Sequence, residues 1–456
     1  MMDLTYYSGR GDIFLHMCNV DRYLTASEDE YIPPPIPVPL PTFPELSDER
    51  APFGDAWKKH FYLTEEFTFL NHGALGCSLK ESVIMSQAYE RYMDSQSLRA
   101  VDREIIPLLS HTLREMADFM GCDAQDIFFM PNCTSGISTV LRSLPFSKDE
   151  SILTTSLGYG AVGYAVDRVC ERYGAKHEKV QISLPITDTS EQIVKAVNQQ
   201  LHEGIKLAIF DHIPSNVTFL MPIKELISLC KAKGIMVMID GAHSLGQFDV
   251  NIRSYDPDFY MTNCHKWFAN TRGSAVGYVR RELQHLIRPL VTSWGFDRGF
   301  SAEFIWNGTS YYSQYISLLA TLNFWKAVGP QAIRDSCNGT ISQAVKLLCQ
   351  AWDVDPVAPS HLVGMVATVK LPARLNDETW KPAEGVKKDL IADCLYFKHK
   401  IEVPIRQVDG ILYVRISCHI YNKLSDYEKL SAAILSICEE RDSLINYNAR
   451  FEQVPV

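Results

Sequence analysis

Short apolar runs that alternate with helical segments dominate the middle of this chain. Four of them are Ile127–Met130, Ser151–Thr155, 206–210 and 235–239. Strands that are apolar on both faces are typical of a parallel sheet covered by helices on both sides. The pattern therefore predicts an α/β fold, in which a large domain over residues 51–305 contains a mainly parallel sheet.

The pattern changes after about residue 305. Helical segments near 314–328 and 330–351 come before strand candidates at 364–371 and 411–416, and a last helix is predicted near 425–445. Helices gathered beside a few strands indicate an α+β arrangement. We therefore predict a smaller C-terminal α+β domain over residues 306–456.

The first 50 residues differ from the rest, because seven prolines fall between Pro33 and Pro44. Proline removes a backbone donor and favours the polyproline II conformation, so this segment cannot enter a helix or sheet interior. The prediction is an irregular N-terminal arm over residues 1–50 that lies on the surface. The alternative is a docking peptide for a partner of the SH3 or WW type.

The net charge and the cysteine pattern argue against some classes of function. Lys and Arg total 44 against 54 Asp and Glu, a net charge of −10, which argues against a nucleic-acid partner. The 12 cysteines contain no C-x-x-C pair, so we expect reduced thiols in a cytoplasmic protein and no metal site. No apolar run is long enough for a membrane helix, and the acidic first 30 residues do not suit a transit peptide.

Polar residues follow the predicted strands at the edge where a parallel sheet binds ligands. They comprise Asn132, Cys133, Thr134, Ser135, Tyr159, Asp211, His212, Ser215, Asp240, His243, His265 and Lys266. Each also has a simpler interpretation. The turn at 132–136 could hold a phosphate or only cap a helix, and Asp240 could face a cationic ring nitrogen or cap the next helix. Lys266, set between His265 and Trp267, suits Schiff-base chemistry better than a solvated surface charge.

The combined pattern resembles the pyridoxal-phosphate (PLP) enzymes of fold type I, and within them the class V aminotransferase superfamily. It is most similar to the isopenicillin N epimerase-like branch, which includes carbon–sulfur lyases of thiohistidine biosynthesis. The resembling segments run in family order from about residue 55 to the C-terminus. They are 69–73, 132–136, 159–162, 211–215, 240–246, 263–267, 308–309 and 415–417.

The resemblance implies a role for each matching position. Lys266 would form the Schiff base with PLP and carry the α-proton, Asp240 would pair with the pyridinium nitrogen, and Tyr159 would stack on the ring. Further cofactor contacts are implied for Cys133, Thr134, Ser135, Ser215, His243, Asn263, His265 and, from the other subunit of a homodimer, Thr309. Substrate contacts are implied for Arg415, which would hold the α-carboxylate in a bidentate fork, and for Asn71 and His72.

The reaction is chosen among those that begin with loss of the α-proton. A desulfurase needs a mobile thiol, but Cys394 lies in a predicted helix with an apolar face, so we interpret it as core. The function predicted is a carbon–sulfur lyase that acts by β-elimination on a cysteine conjugate or its sulfoxide. An aminotransferase, an amino-acid epimerase and a non-catalytic PLP-fold interaction protein remain as alternatives.

Overall fold

A seven-stranded sheet forms the centre of the computed structural model, which describes residues 16–43, 53–378, 380 and 387–444. Its strands stand in the order β2-β8-β7-β6-β5-β3-β4, and β8 alone runs antiparallel to its neighbours. Their bounds are β2 Ile127–Met130, β3 Ser151–Thr155, β4 Lys176–Val180, β5 Ile205–Asp211, β6 Met236–Asp240, β7 Phe259–Asn263 and β8 Ala275–Val279.

Helices cover both faces of this sheet, and alternate residues of each strand enter different cores. Ile209 joins one apolar cluster and Phe210 joins the other. The cluster that contains Ile209 includes side chains of the helices Cys133–Ser143, Gly160–Tyr173 and Phe300–Ile305. The cluster that contains Phe210 includes side chains of the helices Ile105–Met120, Lys195–Gln200 and Ile223–Lys231. The predicted α/β class with a mainly parallel, helix-covered sheet is confirmed.

Shorter elements connect these layers. Further α-helices are His72–Leu75, Lys80–Ser95, Ser97–Arg99, Ile252–Tyr255, Ser313–Ile316 and Leu318–Val328. Turns of 3-10 helix cover Asp55–His60, Ala124–Asp126, Arg281–Leu286 and Ser360–Leu362, and π-helical turns cover Ala100–Glu104, Ser190–Val194 and Cys394–Lys398. No helix in the described ranges has the length and apolar character needed to span a bilayer.

A second, three-stranded antiparallel sheet lies near the C-terminus, in the order β11-β12-β9. Its strands are β9 Val366–Lys370, β11 Ile405–Val408 and β12 Ile411–Ser417, and its helices are Pro330–Trp352, Ala373–Asn376, Lys387–Asp393 and Leu424–Leu444. Arg406 pairs with Tyr413, and Arg415 pairs with Thr368. Because side chains alternate along a strand, Arg406 and Arg415 project from the same face.

That face points toward the large sheet. Thr218, which follows β5, donates from its backbone N–H to Thr368 Oγ1 at 3.0 Å. The short parallel pair β1 Thr68–Phe69 and β10 Ile401–Glu402 also ties an N-terminal segment to the C-terminal unit. The second sheet therefore presents its two arginines to the ends of the large-sheet strands.

The N-terminal arm departs in part from its prediction. Val20–Thr25 form a helix, and Val20, Leu24 and Val38 are buried in the main apolar core. The irregular description is therefore wrong for Val20–Thr25, because the apolar side chains spaced along that segment supply a face that packs inward. Residues 33–43 contain no helix or strand, Pro34 is buried, and SH3- or WW-type docking stays a prediction.

Candidate active site

Lys266 occupies the loop that follows β7. Its Nζ lies 3.2 Å from Nε2 of His243, the residue that follows β6 by three positions. Burial lowers the pKa of Lys266 to about 8, the nearby Cys133 thiol counteracts this, and Arg415 adds to it. A lowered pKa increases the fraction of lysine that is a free amine near neutral pH, and attachment to a carbonyl requires that form.

Two buried histidines form hydrogen bonds with the backbone of the loop that carries Lys266. His72 Nε2 donates to the carbonyl oxygen of Lys266 at 3.0 Å, and His419 Nε2 donates to that of Trp267 at 3.1 Å. Gly76, at φ +73°, packs so closely on this loop that a Cβ there would lie 1.7 Å from the His265 carbonyl oxygen. The loop backbone is therefore fixed on two sides.

The structure corrects the role predicted for His72. Its ring is fully buried and stacks on the ring of His419, with the centroids 4.4 Å apart. Its Nδ1 lies 2.6 Å from the Tyr421 hydroxyl, and its Nε2 is taken by the Lys266 carbonyl. Both ring nitrogens are used, so His72 positions the lysine loop and leaves no ring nitrogen for a substrate.

Asp240 ends β6 beside a second buried carboxyl group, Asp211, which pairs with it in register at the end of β5. Burial raises the pKa of Asp240, although the Ala242 backbone N–H donates to its Oδ1 at 3.0 Å. Burial and the neighbouring Asp240 raise the pKa of Asp211. Two buried carboxyl groups side by side repel each other as carboxylates, and a protonated ring nitrogen beside Asp240 would stabilise its negative charge.

The turn at 132–136 enters the helix Cys133–Ser143. Asn132 caps the helix by accepting from the Ser135 N–H at 2.9 Å, and Asn263 Oδ1 accepts from the Cys133 N–H at 3.0 Å. The oxygens of both asparagines are thus used in shaping the turn. Thr134 is exposed at the helix N-terminus, where an anion is favoured.

His265 lies beside the same region with one ring nitrogen occupied. Its Nδ1 donates to the Ser274 carbonyl oxygen at 2.9 Å, so Nε2 carries no proton while the ring is neutral. Burial lowers the pKa of His265. A direct bond from its ring to a phosphate would therefore need the ring to gain a proton, and its contact with the phosphate stays a prediction.

Arg415 is almost completely buried without an acidic partner among the described residues. Its Nη1 donates to the Ser215 carbonyl oxygen at 2.8 Å and to Ser215 Oγ at 3.1 Å, while its Nη2 is buried and unpaired. Burial and the neighbouring Arg406 lower its pKa to about 9. Ser215 thus orients Arg415, and its predicted contact with the ring hydroxyl of the cofactor stays a prediction.

Arg406 was missed in the sequence. Its Nε is buried with no hydrogen-bond partner, and within the described ranges it makes no ion pair. Burial lowers its pKa, and Tyr159, which is 45% exposed, acts on both arginines. The sequence did contain a signal for Arg406. It is the second residue of a strand that forms a hairpin with the strand carrying Arg415.

Asn71 and Thr309 lie at the edges of the site. Asn71 Nδ2 donates to Glu402 Oε1 at 3.1 Å, and its Oδ1 is buried without a partner. Thr309 is exposed in the segment after Gly308. Their predicted contacts, with substrate and with the phosphate of a second subunit, stay predictions.

These residues fit PLP. The buried Asp240–Asp211 pair suits a protonated ring nitrogen, the exposed Tyr159 offers a ring for stacking, and Lys266 supplies the amine. The exposed Thr134 at a helix N-terminus suits the phosphate, and the unpaired Nη2 of Arg415 suits a carboxylate. Each of these groups thus has a complementary group on the cofactor or on an amino acid bound to it.

The fold and this site define a class of protein. The chain belongs to the aminotransferase class-V family, whose model matches residues 76–366. The resemblance stated from the sequence motifs is therefore confirmed.

Curated relatives match along most of the chain. The L-cysteine desulfhydrase-like protein lolT1 of Epichloe uncinata is 27% identical, and the match covers 87% of this chain and 98% of lolT1. The hercynylcysteine sulfoxide lyase of Schizosaccharomyces pombe is 24% identical, and the match covers 86% of this chain and 99% of that protein. A solved mutant of C-DES with glycine covalently linked to its PLP cofactor has the same fold, with a TM-score of 0.70, 20% identity and coverage of 83% and 98%.

Proposed function

We propose that this chain is a PLP-dependent carbon–sulfur lyase that acts on an L-amino acid derived from cysteine. The observation that carries the proposal is that Lys266, the buried Asp240 and Arg415, with its unpaired Nη2, meet at one edge of the sheet. The names of the relatives support the reaction type, because desulfhydrases and sulfoxide lyases both break a carbon–sulfur bond.

The chain's own groups divide the work. PLP, when bound, supplies an electron sink for the charge that develops at the substrate α-carbon. Arg415 holds the α-carboxylate in a bidentate pair, and Asp240 stabilises a proton on the ring nitrogen. Nζ of Lys266 takes the α-proton and passes a proton to the leaving sulfur.

The overall elimination balances without an oxidant. The Cα–H bond breaks and its proton goes to Lys266, while the Cβ–S bond breaks and its electron pair leaves with sulfur. Water then converts the remaining three-carbon fragment into pyruvate and ammonia. Holding the α-carboxylate on Arg415 fixes which bonds of the α-carbon face Lys266, and this orientation selects the bond that breaks.

The test is product analysis with the purified full-length protein. Cysteine S-conjugates and their sulfoxides are expected to yield pyruvate and ammonia in equal amounts, without any added keto acid. Amino transfer that depends on a keto acid, with formation of pyridoxamine phosphate, would instead identify an aminotransferase. Cys394, the thiol a desulfurase interpretation would need, is buried at the start of a π-helical turn and does not favour that third reaction.

We also propose that the substrate carries a second acidic group that Arg406 binds. Arg406 and Arg415 lie diagonally on one face of the second sheet, and no described acid neutralises either one. The buried Arg415 and the half-buried Arg406 carry like charges that repel each other, and a ligand with two negative ends offsets both charges. A cysteine derivative with a carboxylate or an acidic sulfur group at its far end fits this pair.

Arg406→Ala is expected to raise KM about 10- to 100-fold for substrates with a second acidic group, and to leave kcat almost unchanged. The reason is the loss of a charge-assisted hydrogen bond that forms on binding. Steady-state kinetics with acidic and neutral cysteine conjugates measure the effect. Gln407→Ala, on the exposed face of the same strand, is the matched control. An equal rise in KM for the neutral conjugates would contradict the role.

A homodimer is part of the proposal. The segment 290–296 exposes four large apolar side chains, namely Leu290, Val291, Trp294 and Phe296, each at least half exposed. A cluster of this kind on one short segment favours burial against a second copy. In such a dimer the exposed Thr309 would reach the phosphate site of the partner.

Trp294→Glu is expected to convert the dimer into monomers and to reduce activity, because a charge at the centre of an apolar interface is left unpaired. Light scattering of the full-length protein measures the mass. Leu435→Glu, a half-exposed position on the last helix, is the control and should stay dimeric. A wild-type protein that is monomeric and active would contradict the proposed homodimer.

We propose a cytoplasmic location as well. All 12 cysteines are unpaired, and eight of them are buried. Free thiols in this number are typical of a reducing compartment.

A further inference from the structure

Three side chains form a hydrogen-bonded chain that leads to the reactive amine. Trp267 Nε1 donates to His243 Nδ1 at 3.2 Å, and His243 Nε2 lies 3.2 Å from Lys266 Nζ. Trp267 and His243 are buried, and Trp267 is the residue directly after the lysine. The order is therefore indole, imidazole, amine.

The direction of the first bond determines the second. An indole N–H only donates, so His243 Nδ1 carries no proton. A neutral imidazole has one proton, which must then be on Nε2 and point at Lys266. Burial lowers the pKa of His243 well below its usual value, and the charges of Arg415 and Arg406 act in the same direction, so the ring is neutral.

The consequence falls on Lys266. An ammonium group has three donors and no lone pair, so it cannot accept the N–H of His243. The free amine can accept it. We propose that Trp267 is a positioning residue, which fixes His243 in the tautomer protonated on Nε2 and so favours the unprotonated, nucleophilic form of the Lys266 amine.

The surrounding structure holds Trp267 in this orientation. A Cβ on Gly73 would lie 2.9 Å from an indole ring carbon of Trp267, and Gly246, at φ +94°, approaches the Trp267 backbone equally closely. The Trp267 carbonyl oxygen is bonded by His419. The indole has no room to turn away, so its N–H stays directed at Nδ1.

Other charges act on the same amine. Cys133, Asp240 and Asp211 favour the ammonium form of Lys266, while Arg415 disfavours it. Among the described residues, His243 is the group that lies within hydrogen-bonding distance of Lys266 Nζ. The hydrogen bond from His243 Nε2 therefore favours the amine form of Lys266, in addition to the effects of the charged groups on its protonation.

The test measures the pH dependence of Lys266 acetylation by acetic anhydride in the full-length chain after removal of PLP. Trp267→Phe frees the imidazole to move its proton to Nδ1 and to accept from an ammonium group. The labelling midpoint is expected to rise by about one pH unit, which lowers labelling at pH 7 roughly tenfold.

Two variants make the result specific. Trp325→Phe removes another fully buried indole donor, which bonds the Phe268 carbonyl oxygen, and should leave the midpoint unchanged. His243→Gln should also keep it, because an amide can accept from Trp267 and donate to Lys266. A folded Trp267→Phe protein with the wild-type midpoint overturns the inference. If that variant does not fold, His243→Leu carries the test, and an unchanged midpoint there overturns it equally.

This inference rests on Lys266 as the cofactor lysine, as proposed above, but its labelling readout does not depend on the reaction catalysed. A protein that transfers amino groups instead of eliminating sulfur would leave the labelling result intact. Loss of the labelling shift, with pyruvate still formed, would remove the role of Trp267 and retain the lyase.

Discussion

Lys266→Ala is expected to lower kcat/KM by at least about 10³-fold and to abolish covalent attachment of PLP. The variant loses both the amine that attaches the cofactor and the base at the α-carbon, and no other described lysine lies within hydrogen-bonding distance of His243. Product release from a cysteine conjugate measures the first effect. The absorbance of the purified protein before and after borohydride measures the second.

The fold should survive this change. Removal of a partly buried amine relieves the burial that lowers its pKa, so the thermal unfolding midpoint is expected to stay within a few degrees of wild type. Lys233→Ala, at an exposed position after the helix Ile223–Lys231, is the control and should behave as wild type. Full turnover in a folded Lys266→Ala protein would refute the assignment.

Asp240→Asn is expected to lower kcat/KM about 10²- to 10³-fold while the chain still binds PLP. The amide keeps the bond from the Ala242 N–H but cannot stabilise a proton on the ring nitrogen. Steady-state kinetics and a fluorescence titration with PLP separate the two effects. Asp258→Asn is the matched control, because Asp258 is a buried acid that pairs with Arg280 at 2.9 Å, away from the site.

The same substitution has a predictable effect on stability without the cofactor. The pKa of Asp240 is raised, so the folded chain binds this proton more tightly than the unfolded chain, whose value is near 4. The protonated Asp240 therefore stabilises the folded chain below about pH 4, and this contribution to the free energy of unfolding is lost as pH rises through the raised pKa of Asp240. Asp240→Asn removes that loss, so its advantage in unfolding temperature should grow as pH rises from the unfolded-state value through the raised pKa of Asp240. A gap that shrinks with pH would contradict the assignment.

The sequence predicted the site best where chain order alone decides which residues meet. Asp240, His243 and Lys266 follow neighbouring strands β6 and β7, and the ends of parallel strands share one edge of a sheet. Apolar strand patterns gave the sheet, and therefore that edge. Arg415 was assigned by its motif, and the structure leaves its Nη2 unpaired beside Ser215.

Other features needed the packed structure. His72 looked like a substrate residue because its motif lies near the site, but its ring packs under the lysine loop through contacts with Tyr421 and His419, more than 340 positions away. Arg406 depends on the hairpin register, and the helix Val20–Thr25 depends on a tertiary partner surface. Long-range contacts of this kind leave no local pattern in the sequence.

The central claim is that one amine, Nζ of Lys266, carries the cofactor opposite the carboxylate of Asp240. Borohydride reduction of the PLP-loaded full-length protein, followed by proteolysis and mass spectrometry, tests it directly. The account predicts a single reduced PLP adduct, located on Lys266. A protein that gains no mass, or that carries the adduct on another lysine, would contradict it.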